Sequence, residues 1–232
     1  MIRSIFLGLC FGLVQLFSTD LLAQKNQVPS NGPLPKTNFV EKNDPEAVKT
    51  LNKLRDKFKS FKSTKVDYVL TIEAGTNKEV QQGKLQQKGK KFKANTNGNE
   101  MLCDGKTVWM YLKKQNEVQI TTYDESDEDM LSPTKMLDFQ YLDKKFLYVV
   151  TEDDASSQHI EFKPTERESD YSKMRMKVLK SKNEVEHIKI FMKDGSRYSL
   201  DIKKIESADI PDSVFLFDET KYPNVRKTDL RD

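Results

Sequence analysis

The chain has 232 residues, of which 36% are hydrophobic and 32% charged, and a net charge of +3. That is polar, but Phe, Tyr, Ile, Leu and Val recur in short patterned runs, which excludes a wholly disordered chain. The lysines are spread along the sequence and not clustered with aromatics, so neither the basic stripe nor the aromatic platform of a nucleic-acid binder is present.

The first element predicted is an export signal over residues 1–23. Arg3 supplies the positive charge, and Ile5 to Phe17 is apolar apart from Gln15, too short for the about 20 residues of a membrane span. Leu21 and Ala23 hold the two specificity positions for cleavage after Ala23, which makes the mature chain an exported, soluble protein. Cleavage leaves Cys103 as the one cysteine. With no partner for a disulfide, it reads as a small buried hydrophobe. Residues 24–43, with Pro29, Pro33 and Pro35, show no period and form a flexible lead-in to a single domain over 44–232.

Asp44-Pro45-Glu46 carries a helix start: a capping carboxylate, a proline at the first position and an acid at the positive end of the dipole. Val48, Leu51, Leu54, Phe58 and Phe61 follow at spacings of three or four, the stripe of an amphipathic helix. The period then drops to two. Val66, Tyr68, Leu70 and Ile72 form one face of a half-buried antiparallel strand, with a mostly polar face opposite. Turn residues at 75–77, 88–90, 97–99 and 104–106 separate further strands predicted at 83–88, 91–96, 99–103, 106–112 and 116–122. The acidic run 124–129 lacks the central Gly and closing Glu of a calcium loop and reads as solvated loop. Ser132-Pro133 opens a second short helix containing Met136, Leu137, Phe139 and Tyr141. Strands are then predicted at 145–151, 158–163, 173–180, 184–192, 196–204 and 213–217. About a dozen antiparallel strands with two helices make a mainly β fold, a curved sheet or incomplete barrel whose concave face the helices cover.

No G-x-S-x-G elbow, phosphate-cradling Gly loop or H-E-x-x-H is present, so no enzymatic activity, cofactor or metal is expected. His159 and His187 lie on separate strands without a local ligand pair and read as surface or structural residues. The apolar content is more informative. Trp109 alternates with Thr107 and Tyr111, Val108 and Met110 take the other face, and Phe92, Met174, Met176, Phe191 and Met192 add aromatic or adaptable surface. Some of these side chains fill a core. Others are candidates to line a cavity for a mobile apolar guest.

Three segments in order resemble the outer-membrane lipoprotein carrier family, LolA, in its Bacteroidetes-type form. They are Asp44–Phe61 with the strand after it; Gly83-Lys84-Leu85 through Lys91-Phe92 to the stretch Asp104-Gly105-Lys106-Thr107-Val108-Trp109; and the ending Val214–Asp218, Tyr222-Pro223-Asn224-Val225, Asp229-Leu230-Arg231. The resemblance implies an unclosed antiparallel β-barrel lidded by helices, with Leu85, Phe92 and Trp109 among its apolar sheet residues. It also implies a periplasmic, monomeric carrier that takes the acyl chains of lipoproteins from an inner-membrane ABC exporter to the outer membrane, where an acceptor is a further expected partner. The acyl-chain candidates are Leu54, Phe58, Tyr68, Leu70, Ile72, Leu85, Phe92, Trp109, Tyr111, Met174 and Met176. Many relatives carry Arg-Pro just before the position of Phe92, an Arg that holds the lid shut; here Lys88-Gly89-Lys90 replaces it. Two other readings stay open, a periplasmic lipid or lipoprotein sensor and a non-transport scaffold module of the same fold.

Overall fold

The computed structural model describes residues 42–124 and 139–231. The expected signal, its cleavage site, nearly all of the lead-in, most of the acidic run and the start of the second helix lie outside these residues. Among the described residues, no helix is long and apolar enough to cross a membrane.

Helix α1 spans Pro45–Lys59 and is capped as the sequence predicts, Asp44 accepting from the Glu46 amide at 2.9 Å. Six strands follow in a meander: β1 Ser63–Ala74, β2 Asn77–Lys88, β3 Lys91–Thr96, β4 Asn99–Cys103, β5 Thr107–Leu112 and β6 Glu117–Thr122. Helix α2, Phe139–Lys145, leads into a second meander: β7 Phe146–Asp153, β8 Ser157–Pro164, β9 Tyr171–Leu179, β10 Glu184–Met192 and β11 Arg197–Ala208. β1 pairs antiparallel with β11 and joins the two meanders, and β12, Arg226–Asp229, adds parallel to β6. The result is one unclosed sheet of twelve strands, in the order β12-β6-β5-β4-β3-β2-β1-β11-β10-β9-β8-β7.

Tight turns set the register. At Asn97-Gly98 both residues have positive φ, 51° and 83°, as a two-residue hairpin matching the strand twist requires. Register shifts at Asp67/Tyr68, Val185/His187 and Val150/Glu152 bend β1, β10 and β7 and so add to the curl of the sheet.

Both open edges are covered. The amides of Tyr148 and Val150 on β7 donate to the side chains of Asn43 (3.1 Å) and Asp44 (3.1 Å), and the Asp44 amide donates to the Tyr148 carbonyl at 3.0 Å. The segment before α1 therefore stands in for a missing strand. At the other edge β12 is short and charged, and Glu117 holds it by accepting from Thr228 Oγ1 at 2.7 Å and pairing with Arg226.

One expectation changes. The strand predicted at 213–217 is instead a 3-10 turn over Asp212–Phe215, with the Val214 amide bonded to the Pro211 carbonyl at 3.1 Å. Pro211 has no amide to offer a ladder, and Phe215 is buried by tucking inward, not by strand alternation.

Candidate functional site

Alternation along each strand puts one unbroken apolar face on the inside of the curl. Cross-strand partners share a face, so the rows can be read from the register. One row runs Tyr148, Phe162, Met174, Ile190, Tyr198, Ile72; its neighbour runs Val150, Ile160, Met176, Ile188, Leu200, Leu70. Beyond β1 the face continues through Val66 and Leu85 to Ala94 and Met101, and from Phe92 to Cys103 and Val108. These residues form a single apolar cluster with Ala47, Leu51 and Leu54 of α1 and Phe139, Tyr141 and Leu142 of α2.

The helices touch this face through thin stripes. Phe58 of α1 meets Phe139 of α2 edge-on at 5.2 Å. Leu51 and Leu54 are fully buried, and each contributes about 1.5–3 kcal/mol by leaving water. Polar ties hold the rest. Arg55 Nη2 donates to the Phe139 carbonyl and pairs with Asp143, each at 3.4 Å, while Nη1 donates to Asn52 at 2.5 Å. Asp143 also accepts from the Tyr148 hydroxyl at 2.5 Å; burial, then the neighbouring carboxylate, push that phenol's pKa upward. At the far end of α1, Lys57 pairs with Glu184 at 2.8 Å and donates to the Lys182 carbonyl at 2.9 Å. The lid is thus tied to itself by Arg55 and to the sheet at both ends of α1.

Nine of the residues singled out in the sequence meet in this cluster: Leu54, Phe58, Tyr68, Leu70, Ile72, Leu85, Phe92, Met174 and Met176. Trp109 and Tyr111 do not. The period of β5 turns Val108 and Met110 inward, so Trp109 lies outside opposite Leu102 and Ile120, and Tyr111 opposite Glu100 and Val118. There the chain's ending covers Tyr111: Tyr222 packs on it at 4.5 Å and Phe217 on Tyr222 at 4.6 Å, with the Tyr222 hydroxyl donating to Glu100 at 3.0 Å. β5 is apolar on both faces, buried on the inner one and covered at Tyr111 on the outer one.

A family model described as outer membrane lipoprotein carrier protein LolA matches residues 59–218. The chain belongs to the LolA family. Among solved structures it is similar to an uncharacterized conserved protein from Thermus thermophilus, at 8% identity and a TM-score of 0.52 over 79% of this chain and 99% of that one. It is also similar to a LolA superfamily protein from Nitrosomonas europaea, at 12% identity and a TM-score of 0.41 over 72% and 97% of the two chains. LprF from Mycobacterium bovis matches at 13% identity and a TM-score of 0.46 over 73% and 97%. At these identities the likeness is one of fold. No curated protein sequence matches the chain.

In this LolA-family chain Lys88, at the start of the segment replacing Arg-Pro, binds Asp212 at 2.8 Å, as does its neighbour Lys91 at 2.6 Å, and the two fasten the β2–β3 hairpin to the turn after β11. The arginine that ties the lid is Arg55, in α1 itself, outside the apolar stripe read from the sequence. Cys103 is fully buried on the inner face, and burial pushes its thiol up to about 11. His187 Nδ1 lies 2.9 Å from Asp201 and His159 Nδ1 lies 3.8 Å from Glu152, both on the outer face. That face also carries an open depression of about 810 Å³, lined by charged residues such as Arg175, Lys177, Lys189 and Lys203. It opens on the opposite side of the sheet from the apolar cluster, and Phe191 and Ile202 join the charged groups in its lining.

Proposed function

We propose that this chain is a periplasmic carrier that takes the acyl chains of lipoproteins against the inner face of its sheet and delivers them from the inner to the outer membrane. Membership of the LolA family supports the reading, and one observation carries it. An apolar face running across ten strands, β1–β5 and β7–β11, is covered by two helices holding on through narrow stripes and a few polar ties. Displacing α1 and α2 exposes a surface on which each methylene of a guest gains about 0.8 kcal/mol, so one long acyl chain supplies on the order of 10 kcal/mol. That is enough to offset a lid whose own apolar contacts are few. Leu54, Phe58, Tyr68, Leu70, Ile72, Leu85, Phe92, Met174 and Met176 are the proposed acyl contacts, the two methionines lending adaptable wall. Acylated lipoproteins, an inner-membrane ABC exporter and an outer-membrane acceptor are the proposed partners.

The test is transfer of a lipoprotein from inner-membrane vesicles to the soluble fraction, with wild type and Leu70→Glu. Leu70 is buried on the inner face opposite Gln81 and Leu200. The expected result is a folded variant with transfer abolished, since a carboxylate would occupy the place of methylenes. A folded variant that transfers as well as wild type contradicts the proposal.

A further inference from the structure

The inner face has a polar interruption. Tyr68 and Gly83 are paired across β1 and β2, and the phenol ring lies flat on the glycine: a Cβ added there would sit 2.2 Å from a ring carbon. The Tyr68 hydroxyl reaches Thr96 Oγ1 at 2.9 Å. Two places further along β2 and on the same face, Gln81 stands opposite Leu70 and is only 5% exposed. Its amide nitrogen donates to Glu79 at 2.7 Å, and because a carboxylate only accepts, this fixes which end of the amide faces Glu79. The carbonyl end, Oε1, is buried and bonded to nothing among the described residues. A buried acceptor left unpaired is costly, and a donor that arrives with a ligand would satisfy it.

Resting on the carrier reading above, we propose that Gln81 Oε1 accepts a hydrogen bond from an amide N–H at the acylated end of the cargo, and so selects amide-bearing lipids over those without a donor. Esters and methylenes offer no hydrogen. A fatty-acid carboxylate would set acceptor against acceptor beside the Glu79 charge. An acylated polypeptide terminus carries the amide N–H that Oε1 lacks, within reach of its acyl chains. Gln158 provides an internal control: it is buried near the other end of the face, also has an Oε1 unpaired among the described residues, and has its amide engaged by Asp153.

The experiment measures binding of two probes to the mature protein, a dipalmitoyl lipopeptide and dipalmitoyl phosphatidylcholine, which has the same chains but no N–H or O–H donor. Gln81→Met keeps the length of the side chain and removes the acceptor. It should weaken lipopeptide binding about tenfold, the loss of one buried hydrogen bond, and leave phosphatidylcholine binding within about twofold. Its Tm should be unchanged or higher, because an unpaired acceptor is gone. Gln158→Met should leave the ratio of the two affinities unchanged. Equal losses for both probes in Gln81→Met would show a packing role only, and no loss for either would show an acceptor satisfied by water. Each overturns the proposal, as does discrimination that follows Gln158. If wild type binds neither probe, the carrier reading itself fails, and this inference with it.

Discussion

Replacing Arg55 by Met tests how the lid is held. The variant keeps most of the buried stem and removes the guanidinium. The two bonds it gives up to α2, at 3.4 Å to the Phe139 carbonyl and 3.4 Å to Asp143, are long for charge-assisted hydrogen bonds. Together they contribute about 1 kcal/mol and not the about 3 of a tight buried pair. Against this, Arg55 Nε is buried without a partner among the described residues, and its removal returns about 1 kcal/mol of desolvation cost. The two terms nearly cancel in the global fold, so unfolding free energy should move by less than about 1 kcal/mol. Lid opening reads the two bonds directly, because both join α1 to α2 and break when the helices part. A weakening of about 1 kcal/mol in that tie raises the open population about fivefold. Stopped-flow uptake of a fluorescent acyl probe should therefore run about five times faster. Amide exchange in α1 and α2 should accelerate while that of β9 and β10 stays unchanged. Unchanged uptake with a fold weakened by more than about 3 kcal/mol would refute the reasoning and make Arg55 a core support.

Three further outcomes follow from local geometry. Asp44→Ala removes both the α1 cap and the partner of the Val150 amide on the β7 edge, and should cost about 1–2 kcal/mol in urea unfolding, with exchange of the Val150 amide speeding first. Cys103, with its thiol raised to about 11 by burial, should resist iodoacetamide in the native protein and react once unfolded, and Cys103→Ala should fold and carry cargo as wild type does. Glu161 is 1% exposed and accepts from Arg175 at 2.7 Å and Lys173 at 3.0 Å. Burial alone would raise its carboxyl, but these two cations hold it below the usual range. A lowered folded pKa means stability present at neutral pH and lost as pH falls through that range. Glu161→Gln should thus be about 1–2 kcal/mol less stable at pH 7, discounted because both partners are partly solvated, and the gap should close as pH falls below about 4.3.

Most of the fold is legible in the sequence where a single face is buried. The alternation of Val66, Tyr68, Leu70 and Ile72 fixes the orientation of β1, and Asp44-Pro45 marks the helix start. The reading fails where other segments change the local rule. β12, with the sequence Arg-Lys-Thr-Asp, has no apolar residue to betray it; it exists because β6 offers a free edge and Glu117 a clamp. Trp109 and Tyr111 read as cavity residues because nothing in β5 alone reveals which of its two apolar faces turns inward, or that Tyr222 packs on Tyr111. Arg55 falls outside the apolar stripe of α1, but its neighbour in space is α2, which only the tertiary fold supplies. Gln81 carries a usable signal, sharing the face of Leu85 and Gly83 at a spacing of two.

The central claim is that acyl chains occupy the inner face of the sheet. A dipalmitoyl lipopeptide carrying a photoreactive group at the end of one chain tests it most directly, with the cross-linked residues identified by mass spectrometry after loading and irradiation. Cross-links should fall on inner-face residues such as Phe92, Met101, Met174, Met176 and Ile190, all buried in the lidded protein, and an excess of unlabelled lipopeptide should suppress them. Cross-links confined to the outer face, at Trp109, Phe191 or the charged depression beside His187, would contradict the account.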